Sequence, residues 1–469
     1  MPVTSTHKSY NQYLPTWQML RDLAMGEEAL KARGPQYLPM LSGQKAPHYE
    51  VYKERNTLYN AFARTVDGLL GLLRRQPEVI ELQSESLRVW LDDITLSGIP
   101  LSAFISTTLK EMLSPSRYGV LVDMPVEEGN RPKFSGYTAE NIELWREEVR
   151  DGVKMLVLVK LRECEEKVDP DGFGSEEQEI YRVLDLDESG FYRQRIYYKP
   201  DATKDEWVLR EIIYPNKRQK TRLTFIPFKI FGAFDLTPDC EPPLLLDLAY
   251  TNLAHYRESA DYWHKLHWNA VAQPVVFTRR ENTVLYFGGG EAWVLDPGDA
   301  AMILESSGAG IDAHERALDK LEGRMARLGA ELLDIPKEGV EAAETARLRQ
   351  SSRGSILSTI AETASRGFTQ CLQWYTWWAG YAETPETADV SVKVNNEFVE
   401  TKMSAADLLS FVQSWQQRGI SQRTYLYNAK RGGILPEYQS VDQEILDIQV
   451  EAPSQPQTEP DNLAVQAAA

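Results

Sequence analysis

From Ile311 onward, the stretch IDAHERALDKLEGRMARLGAELL carries Ile311, His314, Leu318, Leu321, Met325, Leu328 and Leu332 at strictly alternating steps of three and four. On an α-helix this spacing draws a narrow seam for lying along another helix, not a broad face sunk into a thick core. A second such segment is PPLLLDLAYTNLAHYRESADYWHKLHW, residues 242–268. Its Leu245, Ala249, Tyr256, Ala260, Trp263 and His267 stand three, four or seven residues apart and so share one helical face. At about 1.5 Å per residue each helix spans roughly 33–40 Å. The residues between them, 269–310, read as short strands with glycine turns at Gly288–Gly290. Two long, narrow-seamed helices around a small β insert suit an elongated, self-associating part better than a compact catalytic domain.

The remaining chain is read around this element. Residues 1–75 read as mostly helical, with Val51, Leu58, Phe62, Val66, Leu69, Leu70 and Leu73 on one side and a stop at Arg74–Arg75 and Pro77. LRVWLDDITLSGIPLSAFISTTLKEML predicts two amphipathic helices broken at Gly98–Pro100, and RYGVLVDMP a buried strand through Val120–Val122. YTAENIELWREEVRDG predicts a short helix capped by Thr138. From Val153 the character turns to β, with KMLVLVKLREC, EIYRVLDLDESGFYRQRIYYKP, EWVLREIIYP and FIPFKIFGA as strands and Glu188–Ser189–Gly190 as a hairpin turn. Pro238, Pro242 and Pro243 break the chain before the first long helix.

After an acidic loop, TARLRQSSRGSILSTIAETASRGFTQCLQWYTWWAG predicts a helix of about 35 residues, with Gly354 and Gly367 as bend or close-packing points. One strand follows at 389–399, then two short helices within 403–436. The tail from Asp442 has six acidic residues and no basic one, and its last stretch is expected to be disordered.

Composition narrows the function. With 51 Lys and Arg against 69 Asp and Glu, the net charge is −18, which argues against a protein that grips DNA phosphates through a basic patch. Cys164, Cys240 and Cys371 form no CxxC pair, so a reduced, cytoplasmic chain is expected. The start, MPVTSTHKSYNQYLP, has no apolar core, so no signal peptide is expected. No run of eighteen apolar residues points to a membrane span.

The chemistry-bearing motifs are incomplete. His264 and His267 lie three apart beside Asp261, but no HExxH pattern occurs, and His255 falls roughly opposite on the helix. HERAL at His314 has Leu318 where a second histidine would be needed. The glycines at 288–290, Gly308 and Gly310 complete no phosphate-binding fingerprint, GQK at Gly43–Lys45 is too short, and no GxSxG elbow is present. Asp92–Asp93 and Glu147–Glu148 read as solvated faces of exposed helices. Trp374, Tyr375, Trp377 and Trp378 point all around a helix and are expected to fill space between subunits or domains. No catalytic, cofactor-binding or metal-binding residue is assigned.

The order of these parts resembles that of the portal proteins of tailed double-stranded-DNA bacteriophages. RYGVLVDMP, YTAENIELWRE, PPLLLDLAYTNLAHYRESADYWHKLHWNAVAQPV and LEGRMARLGAELL resemble one branch of that class, phage proteins long catalogued as a domain of unknown function and regarded as portal-like. The resemblance covers about residues 10–440 and implies an α+β, helix-rich fold of portal-like architecture. Residues 1–241 would form the wing, including a small β subdomain at about 153–232. Stem helices 242–268 and 311–333 would flank a β-rich clip, 269–310. A tunnel loop, 334–344, a long wing helix, 345–382, a crown-like α domain, 383–445, and a disordered acidic tail, 446–469, would follow.

Proteins of this class form dodecameric rings at one capsid vertex and nucleate procapsid assembly with scaffolding and major capsid proteins. They dock the large terminase, pass double-stranded DNA in and out, and later hold a head–tail adaptor. The resemblance thus implies a homo-oligomeric virion protein, assembled in the host cytoplasm, with no cofactor and no membrane. Lys337, Glu338, Glu341 and Glu344 are the candidates for the lumen. Leu245, Ala249, Tyr256, Ala260, Trp263, His267, Leu318, Leu321, Met325, Leu328 and Leu332 are the candidates for the seam between subunits. The competing readings are another ring-forming phage structural or connector protein, and a metal-dependent hydrolase built on His264 and His267.

Overall fold

The computed structural model describes residues 2–82, 84–124, 131–150, 152–168, 172–201, 204, 206–215, 222–270, 273–278, 297–304, 308, 310–333, 343–396, 398, 412–417, 419–431 and 440–451. The chain divides into two units, Met1–Asn396 and Glu397–Ala469. It is α+β, with four small sheets set among helices in the described residues of the first unit.

The first unit begins with α1 (Lys8–Met25), α2 (Glu27–Arg33), α3 (Ala46–Arg55) and α4 (Ala61–Leu73). His7 caps α1, its Nδ1 accepting from the Ser9 N–H at 3.2 Å. Phe62, Val66, Leu69 and Leu73 are buried as their spacing predicts. The predicted face does not continue through Val51, which is 46% exposed, while Tyr52 is buried. The two helices are separated at Asn56–Asn60, where side chains capture backbone groups. The Asn56 Nδ2 donates to the Tyr256 carbonyl (2.9 Å), and Asn60 Oδ1 accepts from the Ala63 N–H (3.0 Å). Such bonds offer the backbone an alternative to a continuous helix.

After β1 (Val79–Leu82), the predicted helix at 87–94 is only a short α5 (Glu85–Arg88) followed by a 3-10 turn, Val89–Asp93. The second is a full α6 (Leu101–Leu113). Asp92 is exposed there, whereas Asp93 is structural, paired to Arg131 (3.1 Å) and accepting the Gly98 N–H (2.8 Å). β2 (Arg117–Asp123) is the buried strand expected, with Val120 and Val122 fully covered. It lies between β3 (Lys133–Thr138) and β9 (Phe228–Gly232) in an antiparallel sheet.

Thr138–Arg150 is the clearest departure from expectation. Residues 139–141 make one 3-10 turn and Ile142–Arg150 is strand β4, not a helix. Its pairing with β5 (Val153–Val168) buries Ile142 and Trp145 and brings Glu143 to Lys160 at 2.7 Å, contacts that local helix propensity cannot register. Glu147 and Glu148 are therefore strand residues, paired to Lys154 and to Arg146 and Arg150.

The sheet continues as β6 (Ser175–Leu186), β7 (Tyr192–Tyr198) and β8 (Val208–Ile213), an antiparallel meander in the order β4-β5-β6-β7-β8. The predicted turn forms at Gly190, φ +82°, with Asp187 Oδ1 accepting from the Ser189 and Phe191 N–H groups. The β subdomain thus starts at Ile142, earlier than expected, and β9 leaves it for the sheet of β2.

α7 (Leu246–Ala270), the hairpin of β10 (Gln273–Phe277) and β11 (Ala300–Leu304), and α8 (Ile311–Leu333) follow. Then comes α9 (Ala343–Trp378), 36 residues long, and β12 (Val390–Lys393), which pairs with β1. α9 crosses the core. Phe368 packs tilted against Phe231 (4.9 Å) and edge-on to Phe104 (6.4 Å), and a Cβ on Gly367 would lie 2.3 Å from the Phe231 ring. Gly367 is therefore a close-packing point, as expected for one of the two helix glycines. The aromatic cluster fills the interior of this unit: Tyr375 and Trp378 are fully buried, and Trp374 packs on Phe225 at 5.6 Å.

In the second unit the described helices are Gln422–Arg431 and Val441–Glu451, with a helical turn at 412–416. Residues 446–451, expected to be disordered tail, are thus helical. The stretch beyond Glu451 lies outside the described residues.

Candidate functional site

The element that organised the sequence is present as a helix–hairpin–helix. His255, earlier on α7, meets a residue later on α8 than Glu258 and Tyr262 do. His255 Nε2 lies 3.3 Å from Glu322 Oε1, Glu258 Oε1 lies 2.6 Å from His314 Nδ1, and the Tyr262 hydroxyl donates to Glu315 Oε1 at 3.0 Å. α7 and α8 therefore run antiparallel, with β10 and β11 joining their far ends. The histidine and glutamate of HERAL, which complete no metal motif, serve as cross-helix clasps.

The inner half of α7 is anchored to the N-terminal helices. Leu245, Ala249, Tyr256 and Ala260 are each at most 2% exposed. Asn252, which the apolar spacing passes over, holds the α3–α4 break in place. Its Oδ1 accepts from the Phe62 N–H (2.9 Å) and its Nδ2 donates to the Tyr59 carbonyl (2.8 Å). The one signal for it in sequence is an amide on an otherwise apolar helical face. On α8, Met325 is 2% exposed and Leu318, Leu321 and Leu328 are half-buried. A Cβ on Gly329 would come within 2.9 Å of Thr65 on α4. The inner seam is thus occupied within one chain.

The outer half is different. Trp263 (40%), Trp268 (49%), Phe277 (58%), Met302 (49%) and Ile303 (53%) are exposed, and His267 is half-buried. His264 accepts from the Trp268 indole N–H at its Nε2 (3.1 Å) and meets the Tyr52 ring edge-on. Burial holds its imidazole below the ordinary value, against the pull of Asp261. The Tyr52 hydroxyl donates to Asp261 Oδ1 at 2.6 Å, and burial together with that bond pushes its phenol well up. Among the described residues, no group of three or more His, Cys, Asp or Glu side chains could hold a metal ion. No described helix is long and apolar enough to cross a membrane.

The remaining predicted site residues lie at or beyond the edge of the described residues. Leu332 lies in α8 and Glu344 in the first turn of α9, but their side chains are outside the described residues. So are Lys337, Glu338, Glu341 and the glycines 288–290.

One comparison with known proteins covers this element together with α9. Residues 243–379 match a family described as Domain of unknown function (DUF4055), a range that runs from the start of α7 to the end of α9. No curated protein matches the sequence. Among solved structures, a chain in the virion of a native gene transfer agent (GTA) particle is similar over 80% of this chain and 89% of that chain, at 13% identity and a TM-score of 0.38. A chain in the neck of an empty GTA particle, computed with C6 symmetry, is similar over the same shares at 12% identity and the same TM-score.

Proposed function

We propose that this chain is a portal-like subunit of a tailed phage or phage-like particle. It assembles as a closed ring, and the resemblance of its parts implies about twelve copies. The ring sits at one capsid vertex and passes double-stranded DNA during packaging and ejection. Its partners are its own copies, the large terminase at the β10–β11 end, the major capsid and scaffolding proteins, and later a head–tail adaptor.

The observation that carries this reading is the distribution of burial along α7 and α8. Their inner half is sealed against α4, whereas the outer half presents two tryptophans and the apolar hairpin residues Phe277, Met302 and Ile303 to solvent. Exposed apolar surface of this kind marks a contact site. A chain with net charge −18 suits a channel through which a polyanion slides without being held.

Purified protein examined by sedimentation and negative stain tests the proposal. Closed rings of about twelve subunits with a central hole are expected. A stable monomer at micromolar concentration would overturn it.

A further inference from the structure

A second feature lies away from α7 and α8, on the five-stranded sheet. Leu144, Lys160, Val183 and Arg195 are in register across β4, β5, β6 and β7, and Arg146 pairs with Leu158 one row along. Tyr197 is two residues from Arg195 on β7, so it shares its face. Strap residues Pro2–Thr4 lie over this face, tied down where Lys160 Nζ donates to the Val3 carbonyl (2.9 Å) and the His7 N–H to the Glu143 carbonyl (2.8 Å). Strap and sheet bound a half-open pocket of about 840 Å3, which Trp145 and Trp207 also line.

The lining has a consistent chemistry. Among the described residues it contains Arg146, Lys160 and Arg195 and no carboxylate, in a chain with an excess of acidic residues. The carboxylates next to the lining are shared. Asp185 serves both Arg193 and Arg195 (3.0 Å each), and Glu148 serves Arg146 (3.6 Å) and Arg150 (3.5 Å). Glu143 offsets Lys160. Guanidinium charge is therefore in surplus around the space, beside three aromatic side chains. Arg forks recognise carboxylate and phosphate groups, and flat apolar walls recognise a ring. The volume falls within the range of small-molecule sites, roughly 300–1,000 Å3.

We propose that this pocket binds a small aromatic anion of mononucleotide size, with the acidic group at Arg146 and the ring across the sheet beside Tyr197 and Trp207. With strap residues among its walls, the space suits a compact ligand more than an extended peptide. The proposal is independent of ring assembly.

The test is titration of the full chain with AMP, followed by calorimetry and indole fluorescence, with inorganic phosphate and an acidic tyrosine-containing peptide as parallel probes. Arg146→Ala removes an exposed side chain, so the fold is retained, and Trp207→Leu removes a wall. One AMP per chain with a change in indole emission is expected. The affinity should fall roughly tenfold in Arg146→Ala, as for loss of a charge-assisted contact, and phosphate alone should bind at least about tenfold more weakly than AMP. Lack of saturable AMP binding, equal affinity in both variants, phosphate binding as tightly as AMP, or tighter binding of the peptide would each overturn it.

Discussion

His314 Nδ1 on α8 lies 2.6 Å from Glu258 Oε1 on α7, the shortest of the three polar contacts that set the register of the two long helices. Both side chains are about one-quarter exposed, so the pair is screened but not free in water. A double-mutant cycle with Glu258→Gln and His314→Leu should return a coupling of about 0.5–1.5 kcal/mol in urea denaturation. A coupling of zero would leave the register to the apolar seam.

Gly367 has a different kind of neighbour. A methyl group there would meet the Phe231 ring at 2.3 Å, and that ring is itself fully buried between α9 and the sheet of β2. Gly367→Ala should therefore destabilise the first unit by about 1–3 kcal/mol, although alanine favours helix. Phe231→Leu in the same background should recover part of the loss in thermal melts. A Gly367→Ala variant as stable as the parent would contradict the close approach.

These contacts mark what could be read in advance. The seam of Ile311–Leu332, the apolar run at Val120–Val122, the β-branched strands after Val153 and the long α9 each follow from periodicity or length, which are local properties. β4 was not legible, because IELWREEVR mixes charged and apolar residues as a helix would. Its state is decided by the Glu143–Lys160 pair and the burial of Trp145 against distant residues. The α3–α4 break depends on Asn56 and Asn252 meeting backbone groups some 200 residues away in sequence. Spacing also cannot say whose helix a seam meets. Half of this one is satisfied by α7 and α4 of the same chain, and the tryptophans at 374–378 are likewise satisfied internally.

The strap over the sheet should respond to acid. His7 stacks on Trp145 (3.9 Å), and its Nδ1 accepts a hydrogen bond only when unprotonated. Burial first, and the Arg117 guanidinium second, hold its pKa below the ordinary 6.5. A base with a depressed folded value favours the folded strap fully above the unfolded pKa, and that contribution is lost as pH falls through the folded one. Protease cleavage within residues 2–7 should accelerate below about pH 6.5, the unperturbed histidine value. It should vary less with pH in His7→Gln. An identical pH profile in that variant would assign the effect to another group.

The proposed passage of DNA gives the acidic residues between α8 and α9 a role that can be tested. If Glu338 and Glu341 face the lumen, Glu338→Lys and Glu341→Lys together should hold phosphate and slow or stall packaging, with relief at higher salt. Packaged-genome length measured on particles carrying the double variant checks this, and an unchanged length would remove both residues from the channel.

Assembly can be separated from folding because the two halves of the helical pair are buried so differently. Leu321→Asp with Leu328→Asp should prevent ring formation. Both residues are half-buried on the face that α8 turns toward α7 and α4, so part of that effect would be loss of the fold itself. Trp263→Ser with Trp268→Ser acts where the side chains are 40% and 49% exposed. Each still buries half or more of its surface and Trp268 donates to His264, so their removal should cost the monomer about 1–3 kcal/mol, less than carboxylates placed on the inner face. The tryptophan pair should therefore stay folded, melting only somewhat below the parent, yet sediment as monomers or open fragments. The leucine pair should lose both stability and rings. Intact rings from the tryptophan variant would place the contact between copies elsewhere on the chain, while unfolding of that variant would mean the outer half is held by contacts within one chain.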